Sequence, residues 1–113
     1  MITFLPVKES ENNGVVTLEY EAYDPESHEK FGIRFSVDGM NCTVEEFGEY
    51  DNALSAEGLI RTALSVAGGR GAYFAKVNAD VIKKPFMQLG FKEKEDGLYA
   101  EIPDIFFGSC SCR

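Results

Sequence analysis

The chain has no tryptophan, one histidine, three cysteines and four prolines in 113 residues. Three cysteines cannot build the dense cross-linking that holds small secreted domains together, so the core must come from packing. The material for packing is present: 44% of residues are hydrophobic, with nine phenylalanines and five tyrosines among them. This length supports one domain with one core. No apolar run approaches the roughly eighteen residues that span a bilayer. The N-terminus, MITFLPVKESENNG, lacks a basic start followed by a long apolar block. A secretory signal is therefore not expected, and a cytoplasmic address is the default. Without secretion, the glycosylation sequon Asn41-Cys42-Thr43 carries no weight. There is no internal repeat and no low-complexity linker.

Basic residues are also scarce, at 11 against 19 acidic ones, for a net charge of −8. Residues 1–51 hold twelve acidic and three basic residues, whereas residues 52–113 hold seven acidic and eight basic. An acidic surface repels phosphate backbones, which argues against a nucleic-acid partner. The excess acts either as a solubilising face or as an attractor for a cationic amine or a basic peptide.

Taken in order, Ile2 to Val7 is a short apolar run whose Pro6 suits an edge strand. The turn cluster Ser10 to Gly14 leads into Val15 to Tyr23, which alternates as a half-buried strand does. Beyond the polar connection Asp24 to Lys30, Phe31 to Val37 places Phe31, Ile33, Phe35 and Val37 on one face. Asp38-Gly39 signals a hairpin, and Met40 to Tyr50 reads as the next strand, with Cys42, Val44 and Glu46 alternating against Thr43, Glu45 and Phe47. The antiparallel meander feeds a helix in which Leu59, Ile60, Ala63, Leu64 and Ala67 recur at helical spacing. Gly68, Gly69 and Gly71 end that helix. A buried strand over Ala72 to Val77 and a second helix over Ala79 to Leu89 follow. After the charged turn KEKEDG, Leu98 to Ile102 is a strand, and Ile105 to Phe107 is expected to resume pairing as an edge strand. The fold class expected is α/β (α+β): a mixed sheet with an antiparallel N-terminal meander followed by helix-strand-helix-strand. One domain spans 1–108, and 109–113 is a tail. An open sheet edge offers a route to a homodimer.

Ala67 to Gly71 before a core strand, and Phe86-Met87-Gln88-Leu89-Gly90-Phe91 closing the second helix, carry a likeness. Over roughly residues 40 to 102 the chain resembles the later half of a GNAT N-acetyltransferase domain, where motifs like A-x-x-x-G and Y-x-x-L-G-F stand at these places. The resemblance implies an acyltransferase that moves an acyl group from acetyl-coenzyme A to a small-molecule or peptide amine. It implies that pyrophosphate lies on backbone N–H groups at the first helix's N-terminus, over Leu54, Ser55, Ala56, Glu57 and Gly58. The resemblance also implies a base on the strand before the helix, where many family members place a glutamate, with Glu46 the candidate beside Glu45 and Glu49. Glu46 shares its face with Cys42 and Val44, which would bury it in part and raise its pKa. Glu45 and Phe47 share the other face, so alternation does not decide which is the core, and a solvated charge is the favoured reading.

This sequence departs from the family pattern at three positions. Leu54 stands where a glycine is expected, Asp51 where a basic or amide residue is expected, and Phe86 where a tyrosine commonly protonates the leaving thiolate. Phenylalanine has no proton to give. Read from the residues alone, Asp51, Asn52 or Ser55 caps the helix by accepting an N–H bond. His28 sits in a polar connection, Cys42 reads as a small buried hydrophobe, and Cys110-Ser111-Cys112 is a thiol pair that lacks two of the four ligands of a zinc site. Two functions stay open: the GNAT-like acyltransferase, and a catalytically inactive binding or interaction module of the same fold, using its acidic face or the C-x-C tail.

Overall fold

A computed structural model describes residues 2–107. Strands β1 (Thr3–Asn12), β2 (Val15–Tyr23), β3 (Lys30–Asp38) and β4 (Asn41–Phe47) come first. Helix α1 (Ala53–Gly69) leads to β5 (Phe74–Asn78), and α2 (Lys84–Gln88), β6 (Lys92–Lys94), β7 (Gly97–Glu101) and α3 (Ile102–Phe107) follow. The strands form one seven-stranded sheet in the order β1-β2-β3-β4-β5-β7-β6. The first four are an antiparallel meander, β4 and β5 pair in parallel, and β7 pairs antiparallel with both β5 and β6. The mixed α/β sheet expected from the sequence is therefore present.

Period-two patterning decides which face is covered. In β3, Phe31, Ile33, Phe35 and Val37 are buried, while Gly32, Arg34 and Ser36 between them are only half-buried. The buried row meets the stripe Ala56, Leu59, Ile60, Ala63, Leu64 and Ala67 of α1, which packs on β2 and β3. Leu59 and Leu64 are fully buried, and each such side chain contributes about 1.5–3 kcal/mol. The alternate row, including Thr17, Glu19, Glu21, Ser36, Thr43, Lys76 and Tyr99, stays partly exposed. One face is packed and the other is wet, as antiparallel sheets allow.

Several elements differ from expectation, each for a local reason. β1 continues past Pro6 to Asn12, because an edge strand tolerates a missing donor, and its register shifts between Pro6 and Lys8. Gly68 and Gly69 remain helical, and Gly71, at φ 103°, makes the left-handed turn that stops α1. α2 begins only at Lys84, since Pro85 belongs in a helix's first turn, and Val81 instead closes a turn on the Asn78 carbonyl at 3.0 Å. Lys92–Lys94 of the charged turn pairs with β7. Ile105 to Phe107 is helical, not a strand: Pro103 starts α3, Asp104 lies in its first turn, and the Ile102 amide donates to the Tyr73 carbonyl at 2.7 Å. No helix among the described residues is long and apolar enough to cross a membrane. The C-x-C tail lies outside the described residues.

Gly97 opens β7 at φ 146°, and a Cβ there would sit 2.1 Å from the Val77 carbonyl oxygen. Backbone cannot yield as a side chain can, so Gly97→Ala should cost about 2–4 kcal/mol. Gly69→Ala, with nothing within 4 Å of the added carbon, should be close to neutral. Urea unfolding of both variants checks the pair, and equal midpoints would contradict the packing described.

Candidate functional site

β4 carries the feature from which the site is built. Glu46 opposes Arg34 and Phe47 opposes Ile33, but Val44 opposes Phe35, so Glu45 is an extra residue in β4. Such a bulge inverts the facing of everything after it. On strict alternation Glu46 shares the face of Cys42 and Val44, and the sequence leaves both partial burial and a solvated charge open. The bulge instead puts it with Arg34 on the open face, where its side chain is 66% exposed. Phe47, which alternation placed with Glu45 on a face of undecided burial, turns to the core and packs edge-on to Phe86, ring centroids 5.4 Å apart.

Arg34 joins the two glutamates. Its Nε lies 3.1 Å from Glu45 Oε1 and its Nη2 3.0 Å from Glu46 Oε2. The hydrogen bond to Glu45, then the charges of Glu46, Glu45 and Glu19, hold the guanidinium above its ordinary pKa. Around this group opens a cavity of 440 Å³, which also takes in Glu19, Glu21 and Asp80, for five carboxylates against one guanidinium. Gly32 and Gly48, joined by a 2.8 Å backbone hydrogen bond, contribute no side chains to fill it. Val7, Val81, Ile82 and Phe47 supply apolar lining.

Its place in the fold comes from the parallel pair. β4 and β5 are in register from Asn41↔Phe74 to Val44↔Val77 and no further. Beyond that point β4 runs on through Glu45–Gly48 while the chain after β5 turns away through Asp80–Ile82, and the cavity takes in both segments. It thus lies at the C-terminal ends of parallel strands, where open α/β sheets commonly hold ligands.

The N-terminus of α1 is arranged differently. Asn52 is the cap, with Oδ1 accepting from the Leu54 amide at 2.8 Å and the Ser55 amide at 3.3 Å. Just before it, Glu29 Oε2 accepts from the amides of Asp51 and, at 3.2 Å, Asn52. Of the expected cofactor-binding residues, Leu54 is 78% exposed, whereas Ser55 and Ala56 are buried. Glu57 pairs with Arg61 at 3.1 Å. Gly58 abuts Phe4, and its carbonyl accepts from the Thr62 hydroxyl at 2.9 Å. A separate hollow here, lined by Asp24, Ser27, His28, Glu29, Asp51, Asn52 and Ala53, includes none of Leu54 to Gly58. Glu46 therefore lines the first cavity, and Leu54 to Gly58 line neither.

Phe86 is fully buried in an aromatic cluster with Phe47 and Phe91. His28 is exposed in the β2–β3 turn. Among the described residues, no group of three or more His, Cys, Asp or Glu side chains is placed to hold a metal ion. Arg34 and the segment Asp80–Ile82 were not singled out from sequence. The glycine inside strand β3 was the available signal, since such a glycine marks a bulge or a close approach.

No protein-family model, curated protein or solved structure matches this chain.

Burial pushes the Cys42 thiol from its ordinary 9.0 up to about 12. With Cys110 and Cys112 replaced by serine, iodoacetamide at about pH 8 should modify Cys42 only in denaturant. Because the folded thiol holds its proton more tightly, this group's contribution to stability is whole below pH 9.0 and is lost as pH rises towards about 12. Rapid labelling of the native chain would contradict its burial.

Proposed function

We propose that this chain is a binding module on a GNAT-like frame, without acyl transfer, whose open-face cavity takes a cationic amine or a basic side chain. The observation that carries this reading is the cavity at the end of β4, where five carboxylates surround one guanidinium. A partly enclosed, low-dielectric wall strengthens attraction for a cation over its value in open water. Arg34 holds Glu45 and Glu46 in place and prevents mutual repulsion from spreading them. Apolar lining from Val7, Val81 and Ile82 suits the methylene stem of an alkyl amine.

Acetyl-coenzyme A fits this chain poorly. The amides of Leu54 and Ser55 are engaged by Asn52, and those of Asp51 and Asn52 by the carboxylate of Glu29. The first amides of α1 are thus already satisfied by Asn52, and the Glu29 carboxylate just before them repels a second anion. Phe86 offers no general acid.

A second reading is the small GNAT-like acyltransferase, favoured by the position of the cavity beside the opening of the parallel pair. Under that reading Glu46 faces the amine, and Leu54 to Gly58 lie towards the coenzyme. If the α1 terminus is an altered phosphate cradle, Leu54→Gly combined with Glu29→Gln should strengthen coenzyme A binding, and unchanged affinity in calorimetry would count against that reading.

The binding module predicts that 1,5-diaminopentane binds the purified chain and that acetyl-coenzyme A does not. Glu19→Gln with Glu21→Gln should weaken the diamine about tenfold, and added salt should weaken it further. Calorimetric titration separates the readings: tight acetyl-coenzyme A binding with no diamine binding would overturn the proposal.

A further inference from the structure

Among the described residues β1 is paired with β2 alone, and every residue from Leu5 to Asn12 is exposed. Its free side carries backbone groups with no strand beside them, which is a template for strand addition. Leu5 and Val7 are 51% and 54% exposed on this edge. Pro6 and the register shift between Pro6 and Lys8 divide the strand and leave Lys8–Asn12 as its longer regular run. The opposite edge, β6, is only three residues long and carries Lys92 and Lys94, so it offers a shorter and basic run where β1 offers a longer and acidic one.

Val7 connects this edge to the site. It is the residue skipped in the β1–β2 register, and it also lines the cavity that holds Glu19, Glu21, Glu45 and Glu46. We infer that β1 is the docking edge for an extended peptide whose lysine or arginine side chain crosses Val7 into the carboxylate cavity. The inference rests on the binding reading above and names its partner. Charge selects the occupant. A second copy of this chain brings a further −8, and β1 itself carries Glu11 and an Arg70-paired Glu9 (2.9 Å) against Lys8, so self-addition is opposed chiefly by net charge. A basic strand is attracted by the same field. Main-chain bonds along β1 supply affinity, and the cavity supplies selectivity for the basic residue.

The test uses the full chain and three probes: the acetylated, amidated pentapeptide Thr-Val-Lys-Val-Thr, the same peptide N-methylated at alternate amides, and 1,5-diaminopentane. The plain peptide should bind about tenfold tighter than the diamine, and N-methylation should remove that advantage because edge hydrogen bonds are lost. Leu5→Lys, which blocks the edge and also sets a cation opposite Glu21, should weaken the peptide by a larger factor than it weakens the diamine. A glutamate replacing lysine in the peptide should abolish binding. If the diamine binds and the peptide gains nothing, or N-methylation has no effect, edge docking is wrong while the cavity reading stands. If neither probe binds, both fall. A concentration-dependent dimer in gel filtration that Leu5→Lys dissociates would overturn the peptide in favour of a second copy.

Discussion

The short parallel register between β4 and β5 is the constraint on which the rest depends. Four residue pairs, ending at Val44↔Val77, hold the meander to the C-terminal part of the sheet. Past that point the strands separate, and the extra residue Glu45 re-aims Glu46 and Phe47. A longer register or an unbulged β4 would leave Phe47 in solvent and Glu46 in the core. The aromatic cluster of Phe47, Phe86 and Phe91 and the polar cluster of Arg34, Glu45 and Glu46 are the two faces of that one irregularity.

Electrostatics then separates the two ends of the meander. At the cavity, carboxylates outnumber the guanidinium and the field favours a cation. At the start of α1 the helix terminus favours an anion, but Glu29 and Asn52 satisfy its amides from within the chain. Individual exposed ion pairs here are each worth at most about 1 kcal/mol. Their effect is on what the surface attracts more than on how stable the fold is.

Much of this was legible in sequence. Strand Val15 to Tyr23 has the bounds expected, β3 extends one residue beyond the expected run at each end, and the stripe on α1 is the one its spacing implied. The facing of Glu46 and Phe47 was undecidable because a period-two reading assumes one residue per step, and a bulge breaks that parity without any mark in composition. Pro85 and Pro103 were readable signals for the late start of α2 and for helix α3, since proline suits a first helical turn. β6 was not readable: Lys92–Lys94 has little strand preference, and its pairing is decided by β7 beside it. Asn52 as the cap was among the three residues named for that role. Glu29 as its neighbour was out of reach, since it arrives from 23 residues earlier.

The most direct test is a ¹⁵N–¹H correlation spectrum recorded during titration with 1,5-diaminopentane. Shifts should be confined to the amides of Glu19 to Glu21, Arg34, Glu45 to Gly48 and Asp80 to Ile82, with Leu54 to Gly58 unmoved. Shifts centred on Leu54 to Gly58, or spread without focus over the acidic surface, would contradict a binding centre at the end of β4.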